Sequence, residues 1–297
     1  MRVLILGSKG QLGSSILEKF DDHATGGSFM SAFSREELDV TDVEQMEKEF
    51  EIFRPDTVVN CAAWTDVEGA ESQYTLARDI NYLGVVNVMR VAEKYNTRII
   101  QISTDYVFDG SHETPIGESE IQNPINRYGE SKADAERFLL QEYGENSIII
   151  RTAWLYGPYG KNFARTMIRK ALTIKEETIG VVNDQQGQPT STLDLATRIL
   201  EIADSNVQSG IFHGTNSGST SWFGFAKLLL DSAEIGSERL VPVLSSDFPS
   251  SVNRPKYSVL GQEGWSSINY KAMRPWEDAI KDIALRIRRE VEEANGI

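Results

Sequence analysis

A glycine-rich turn directly after the first apolar stretch constrains the fold of this chain more than any other feature. Residues 2–6 form a short continuous apolar run, which is typical of a parallel strand that is covered on both faces. Glycines at positions 7, 10 and 13 follow at once, at a spacing that lets the backbone approach a pyrophosphate at a helix N-terminus. The position favours a dinucleotide site, with an ordinary strand-to-helix connection as the alternative. The candidate cofactor-binding residues are Gly7, Gly10, Gln11, Leu12 and Gly13.

Strand-like and helical patterns alternate along the chain and predict an α/β fold. Further strands are expected at residues 29–33, 54–60, 98–103, 147–151 and 210–214. Helices are expected after residue 13, then around 43–50, 70–95, from about 124, and at 163–172, 191–203, 221–233 and 276–291. This alternation predicts a Rossmann-type doubly wound parallel sheet over residues 1–151. Residues 152–297 are expected to form mainly a smaller C-terminal α/β substrate-binding lobe, with some segments that return to the first domain.

The composition argues against several classes of protein. With 30 basic against 44 acidic residues, the net charge is −14, which opposes non-specific binding to nucleic acid or to an anionic membrane. No segment reaches the roughly 18 apolar residues of a membrane span, and the N-terminus starts as a strand rather than a signal peptide. A cytoplasmic location is therefore expected. The single cysteine, Cys61, excludes an internal disulfide, and the three histidines show no metal-ligand spacing.

Two further segments bear on the cofactor. Arg35 lies just past the second predicted strand, where a doubly wound sheet faces the adenosine ribose. An arginine there accepts a 2′-phosphate, whereas an acidic residue would bond the 2′-hydroxyl, so NADPH is favoured over NADH. A solvated loop arginine is the alternative interpretation. Ala62 and Ala63 follow the third predicted strand, and their small side chains either let a cofactor lie close to the backbone or reflect tight packing.

Tyr128 and Lys132 are the candidate catalytic pair. Their spacing places both side chains on one face of the predicted helix, where an ammonium beside a phenol is expected to lower the phenol's pKa. A tyrosine of lowered pKa can give and take a proton near neutral pH. One such pair arises easily by chance, so its weight comes from the glycine-rich turn and from Ser103 and Thr104, which end a predicted strand. Chemistry in open α/β sheets collects just past the carboxyl ends of strands.

These motifs resemble those of the extended short-chain dehydrogenase/reductases, and the likeness runs nearly from end to end. The stretches that carry it are Gly7–Gly13, Asp39–Asp42, Asn60–Ala63, Ser103–Gly110, Tyr128–Lys132, Arg151–Gly157, Asp184–Thr190 and Arg254–Pro255. The resemblance implies that Thr104, Tyr128 and Lys132 form a catalytic trio, and that a reduced nicotinamide delivers hydride to C4 of a 4-keto dTDP-sugar. Tyr128 would protonate the emerging alkoxide, Lys132 would bind the nicotinamide ribose, and Thr104 would donate a hydrogen bond to the same oxygen.

The same resemblance implies further binding residues. Those near the cofactor would be Asp39, Val40, Ala63 and Thr65. Asp105 and Trp154 would join Thr104 at the sugar, and Arg254 is a candidate for the diphosphate, because its fork of donors suits that charge. Some members of the family bind Mg²⁺ through acidic residues, but no motif here carries those ligands and Ser15 is not acidic. The family is also compatible with a homodimer.

Other functions stay open. Another NAD(P)-dependent sugar-nucleotide reductase or an epimerase would use the same motifs. A dehydratase needs a second acid and base, which dehydratases of this fold supply as an Asp-Glu pair after the catalytic threonine, whereas Thr104 is followed by Asp105 and Tyr106. A non-catalytic NADP-binding regulatory subunit would keep the fold without requiring the trio, and the presence of all three residues argues against it.

Overall fold

Six parallel strands form the central sheet of the molecule. The computed structural model describes residues 1–23, 27–174, 176–248, 250 and 252–296. From one edge to the other, the strands are β10 (Gly210–His213), β5 (Ser147–Thr152), β4 (Arg98–Thr104), β3 (Thr57–Asn60), β1 (Arg2–Leu6) and β2 (Phe29–Phe33). The chain leaves β1 first toward β2 and then toward β3, so the switch point, where such sheets open a crevice, lies between β1 and β3. This order confirms the predicted doubly wound sheet.

Helices cover both faces of the sheet because its inner strands are apolar on both sides. Leu4 and Leu6 belong to the core on one face, and Val3 and Ile5 belong to the core on the other. The first face is covered by α2 (Val43–Phe53), α5 (Gly84–Tyr95) and α6 (Arg127–Tyr143), and the second by α1 (Gln11–His23) and α8 (Thr192–Ala203). None of the helices in the described ranges is long and apolar enough to cross a membrane.

The stretch predicted as one helix over residues 70–95 is interrupted. It consists of α3 (Val67–Ser72), α4 (Tyr74–Arg78), a π-helical turn (Asp79–Leu83) and α5. Asn81 is buried in the π-helical turn, where its side chain accepts a hydrogen bond from Trp64 N at 2.8 Å. The same amide donates to Trp64 O at 3.1 Å and to Ser131 Oγ at 3.0 Å. The widened π-helical turn therefore places the Asn81 amide between the loop after β3 and helix α6, where it is hydrogen-bonded to both.

Strand β3 is shorter than the strand predicted over residues 54–60. Arg54 adopts a left-handed backbone with a φ of 49° and ends α2, and its N–H bonds to Phe50 O. Pro55 follows, and the strand starts only at Thr57. A left-handed residue and a proline cannot continue an extended, paired run, which explains the late start.

A separate apolar core lies within the C-terminal segments. Its members include Tyr156, Ile168, Phe225, Trp276 and Ile280, all of which are buried. The elements of this region are β6 (Leu155–Tyr156), α7 (Phe163–Thr173), β7 (Ile179–Val182), β8 (Gln186–Gly187), β9 (Thr190–Ser191), β11 (Thr220–Ser221), α9 (Trp222–Ser232), β12 (Leu240–Val243) and α11 (Trp276–Asn295). By contrast, β10 pairs with β5, α8 packs on α1, and Trp265 of α10 (Glu263–Ser267) stacks on Phe212 of β10, so these three elements belong to the central layers.

Candidate active site

Two cavities lie beside the carboxyl ends of the central strands. The larger has a volume of about 530 Å³, and the predicted residues that line it are Gly10, Gln11, Leu12, Gly13, Ala63, Thr65, Thr104, Asp105, Tyr128, Lys132, Trp154 and Arg254. The smaller has a volume of about 240 Å³ and is lined by Gly7, Gly10, Arg35, Asp39, Val40, Ala62 and Ala63. Gly10 and Ala63 line both cavities. Every site residue predicted from the sequence therefore borders this pair of cavities.

The glycine-rich turn between β1 and α1 has no room for side chains. Gly7 has a φ of 81°, and a Cβ there would lie 2.8 Å from Ala62 N. A Cβ on Gly13 would lie 2.3 Å from Gly7 O, inside the turn itself. The first turn of α1 lines the larger cavity, where its backbone N–H groups suit an anionic group such as a diphosphate.

Two cationic side chains line the smaller cavity, and each is paired with a carboxylate. Arg35 Nε lies 3.2 Å from Asp39 Oδ2, and the arginine side chain is largely exposed. Lys9, which lines both cavities, lies 3.4 Å from Glu36. Burial raises the pKa of Asp39, but hydrogen bonds from the Thr41 N–H and hydroxyl outweigh it and hold the pKa below its ordinary value. Asp39 therefore stays a carboxylate beside Arg35.

The close approach of α6 to the turn after β4 places Tyr128 in the wall of the larger cavity. Asn126 caps the helix, and its side chain accepts a hydrogen bond from Gly129 N at 2.8 Å. A Cβ on Gly129 would lie 2.1 Å from Tyr106 O, so only glycine permits this approach. The rings of Tyr106 and Tyr128 meet edge to face at 5.6 Å between centroids. Thr104, at the end of β4, is hydrogen-bonded to the Tyr128 hydroxyl.

The electrostatics of Tyr128 differ from the prediction. Burial raises the pKa of the phenol above its ordinary value, and the hydrogen bond with Thr104 is the contribution that lowers it. The charges of Asp105 and Tyr106 raise it further. The expectation that Lys132 lowers this pKa is therefore wrong for the free protein. Tyr128 is protonated near neutral pH, which makes it a proton donor rather than a base.

Lys132 lies one helical turn beyond Tyr128 and is buried. Its Nζ donates a hydrogen bond to Ile102 O at 2.7 Å. Burial lowers the pKa of Lys132 to about 8, and the charge of Glu136 opposes this shift. Cys61 also lines both cavities, and burial raises the pKa of its thiol to about 12, so the thiol is neutral. Lys132 is thus a cation at neutral pH, but only by a narrow margin.

Asp105 supplies a buried carboxyl group next to Thr104. Thr104 Oγ1 donates a hydrogen bond to Asp105 Oδ1 at 3.0 Å. Burial raises the pKa of Asp105 to about 6, against hydrogen bonds with Ser258 and Thr104. Asp105 is therefore mainly a carboxylate at neutral pH, and it accepts the hydrogen bond of the Thr104 hydroxyl in the free protein.

Trp154 is fixed by two residues that sequence patterns did not connect to it. It has a left-handed backbone with a φ of 45°, which is uncommon for a bulky residue, and its ring stacks on Trp222 at 3.6 Å and 8°. Trp222 Nε1 donates to Gln185 Oε1 at 3.1 Å. A Cβ on Gly187 would lie 2.4 Å from Trp154 Cε2. The loop of residues 184–190 therefore supports both indoles, and both line the larger cavity.

Besides Lys132, three further cationic side chains line the larger cavity, in a chain whose net charge is −14. Arg254 donates to Tyr106 Oη at 3.0 Å and lies 3.4 Å from Glu68. Lys9 and Lys161 are the other two, and neither was predicted as a site residue. Lys9 could have been found from its place within the glycine-rich turn. Lys161 and Trp222 had no local signal, because only the tertiary fold brings them to the cavity.

No group of three or more His, Cys, Asp or Glu side chains that could hold a metal ion occurs in the described part of the chain. Ser15, where an acidic residue was considered, is buried and donates a hydrogen bond to Thr192 Oγ1 at 2.8 Å. The hydroxyl pair is already satisfied there and offers no anionic ligand.

A glycine-rich turn at the switch point of a parallel sheet, with a threonine, a tyrosine and a lysine at the next strand and helix, defines an extended short-chain dehydrogenase/reductase. Within this class, the family described as the RmlD substrate binding domain matches residues 1–289. The chain belongs to that family, and the resemblance seen in the sequence is confirmed.

Several characterised proteins are similar over almost their whole length. The chain is 36% identical over 282 residues to a dTDP-4-keto-6-deoxy-D-glucose reductase of Streptomyces niveus, covering 94% of this chain and 95% of that protein. It is 36% identical over 285 residues to a dTDP-4-dehydrorhamnose reductase of Streptomyces griseus, covering 95% and 92%. A crystal structure of dTDP-4-dehydrorhamnose reductase from Bacillus anthracis in complex with NADP superimposes with a TM-score of 0.89 at 34% identity, covering 96% and 99%.

Proposed function

We propose that the protein reduces dTDP-4-dehydro-L-rhamnose to dTDP-L-rhamnose with hydride from NADPH, as a step in deoxysugar and cell-surface polysaccharide biosynthesis. The observation that carries the proposal is the Tyr128 phenol, which is buried, protonated and next to Thr104. It lies in the wall of the larger cavity, which residues of the glycine-rich turn also line. A proton donor is what the reduction of a ketone requires once hydride has reached the carbon. The names of the similar proteins supply the substrate class.

The residues fit a dinucleotide. The space left by the missing side chains of Gly7 and Gly13 lets a diphosphate approach the first turn of α1. When bound, NADPH would supply the hydride. Lys132 would donate to the nicotinamide ribose, and Tyr128 would give its proton to the substrate oxygen. Thr104 would turn its hydroxyl from Asp105 to the same oxygen, because it has only one proton to donate.

Residues from both halves of the chain take part in this scheme. Thr104, Tyr128 and Lys132 lie in residues 1–151, whereas Trp154 and Arg254 lie in residues 152–297. We therefore assign cofactor binding and proton transfer mainly to the first part and sugar and diphosphate binding mainly to the second. The buried Asp105 would accept a hydrogen bond from a sugar hydroxyl, and Arg254 would pair with the diphosphate.

The sugar itself has a second candidate, because one of the similar proteins is a dTDP-4-keto-6-deoxy-D-glucose reductase at the same level of identity. The test is to incubate the protein with NADPH and each 4-keto dTDP-sugar, follow the absorbance at 340 nm, and identify the product by NMR. Faster NADPH consumption with dTDP-4-dehydro-L-rhamnose, with dTDP-L-rhamnose as the product, supports the proposal. An epimerase would convert the sugar without net NADPH consumption, and a regulatory subunit would bind NADPH and consume none.

Arg35→Ala is expected to weaken NADPH binding by about 10-fold to 100-fold, since a charge-assisted hydrogen bond contributes about 1.5–3 kcal/mol. NADH binding should change little, because NADH has no 2′-phosphate for Arg35 to meet. Titration of cofactor fluorescence with both dinucleotides measures the two affinities. Arg90→Ala, an exposed arginine on α5, is the control and should alter neither. Equal losses for NADPH and NADH in Arg35→Ala would show that Arg35 does not contact the 2′-phosphate.

A further inference from the structure

A carboxylate lies on the same helical face as Tyr128 and Lys132. Glu136 follows Lys132 by four residues on α6, and it is fully buried. Successive residues at this spacing lie above one another on a helix, so the phenol, the ammonium and the carboxylate form one row. Tyr128 and Lys132 line the larger cavity, whereas Glu136 does not. The Glu136 carboxylate therefore lies on the side of Lys132 that faces away from the larger cavity and the reacting groups.

The contacts of Glu136 are unusually complete for a buried carboxylate. Arg151, from β5, donates to it through Nε at 3.0 Å and through NH2 at 2.8 Å. Ser103 Oγ donates to Oε1, and Gln122 Nε2 donates to Oε2 at 2.5 Å. These partners fix the position of the carboxylate, because each acceptor oxygen has at least one strong donor.

The charges around this carboxylate do not balance. Lys132 and Arg151 are both buried cations. Arg151 is ion-paired with Glu136 at 2.8 Å, whereas Glu136 acts on Lys132 through its charge and raises the pKa of the ammonium. His213 lies 3.4 Å from Arg151 NH1 through Nε2, and burial together with the arginine charge lowers its pKa to about 3, so it is neutral. Asp105 is the other buried acid of the described chain, and it faces Thr104 and Tyr128 instead. The Glu136 carboxylate is therefore the negative charge that acts on both Lys132 and Arg151.

We propose that Glu136 is a positioning residue that keeps Lys132 in its charged form beside the cofactor site, and that Arg151 limits how strongly it does so. The inference rests on the proposed function in one respect, namely that Lys132 contacts a bound dinucleotide. It adds a residue outside the cavity to the reaction. It also assigns different roles to two buried cations: Lys132 binds the cofactor, and Arg151 weakens the effect of Glu136 on Lys132.

The direction of the effect follows from the charges that face Lys132. Burial favours the neutral amine, and the charge of Glu136, from α6, opposes this effect of burial. The Cys61 thiol, from the loop after β3, is neutral below its pKa of about 12. Lys132 Nζ also donates to the carbonyl of Ile102 on β4, which does not titrate. Removal of the Glu136 charge should lower the pH at which Lys132 loses its proton. Removal of the Arg151 charge should raise that pH, because the carboxylate would then act on Lys132 alone.

The test is the pH dependence of NADPH affinity between about pH 5.5 and 10, a range that spans the Lys132 pKa of about 8 and the predicted shifts, measured by fluorescence without any sugar substrate. The wild-type protein should lose affinity several-fold as Lys132 is deprotonated. The midpoint should move down by about one pH unit or more in Glu136→Gln and upward in Arg151→Gln, because a buried charge shifts a neighbour's pKa by that order. Lys132→Met should abolish the transition, which identifies the titrating group. Glu130→Gln should leave the midpoint unchanged, because this partly exposed carboxylate of the same helix is paired with Arg127 and lines neither cavity.

Opposite shifts support the proposal, and shifts in the same direction or none overturn it, since a merely structural role would not give two signs. If Glu136→Gln does not fold, Glu136→Gln/Arg151→Gln leaves no unpaired buried arginine, and its midpoint must lie below the wild-type value. Absence of sugar reduction together with opposite midpoint shifts would reject the proposed function and support this inference. Normal sugar reduction with unchanged midpoints would support the proposed function and reject this inference.

Discussion

Tyr128→Phe is expected to lower turnover by about 10²-fold to 10⁴-fold, which is the usual contribution of a positioned proton donor. NADPH affinity should stay nearly unchanged, because phenylalanine keeps the ring that packs against Tyr106. The phenol is buried and protonated near neutral pH, so its loss removes the proton and not a binding surface. Steady-state turnover and cofactor fluorescence titration measure the two quantities separately.

Tyr95→Phe is the matched control, since Tyr95 hydrogen-bonds Glu47 O at 3.4 Å and borders neither cavity. It should retain wild-type turnover. Unaltered turnover in Tyr128→Phe would show that another group delivers the proton. Asp105 is the nearest alternative, because its pKa is raised to about 6 and it is protonated below that pH. Residual activity that increases as the pH falls below about 6 would identify it.

Gly187→Ala is expected to raise KM for the dTDP-sugar by about 5-fold to 140-fold, because overpacking costs about 1–3 kcal/mol and 1.4 kcal/mol is a factor of ten. The added Cβ would lie 2.4 Å from Trp154 Cε2, so the indole or the loop must shift. NADPH affinity should not change, since this indole is proposed to contact the sugar. The near-UV circular dichroism of the stacked Trp154 and Trp222 rings should decrease at the same time.

Gly144→Ala is the control for a glycine-to-alanine change, because nothing lies within 4 Å of the added Cβ there. Its KM and spectrum should match those of the wild-type protein. An unchanged KM and spectrum in Gly187→Ala would mean that the loop yields without moving the indole. In that case Trp154 would owe its position to its own backbone and to Trp222 rather than to residue 187.

The parts of the site that the sequence predicted are those encoded over short distances. The glycine-rich turn, the pair Ser103 and Thr104, and the spacing of Tyr128 and Lys132 each lie within one strand end or one helical turn, so local geometry determines them. The family resemblance then supplied Asp105, Trp154 and Arg254. Arg35 lines the smaller cavity, and its contact with the adenosine ribose is a proposal.

The parts that the sequence did not predict depend on burial or on contacts between distant segments. Spacing placed Lys132 near Tyr128, but it gave no measure of desolvation, which dominates the pKa of both groups. Trp222 is 68 positions from Trp154 in the sequence, and only the packing of α9 brings them together. The π-helical turn at Asp79–Leu83 carries a continuous helical pattern in the sequence, so periodicity alone merged it with its neighbours.

The amide of Asn81 has a consequence for how the cleft can open. It joins the backbone of Trp64 to Ser131 on α6, the helix that carries the proposed proton donor. Any movement of α6 away from the loop after β3 would have to break these hydrogen bonds inside the protein, where no water replaces them. The amide therefore holds the helix of Tyr128 in register with the loop that borders both cavities.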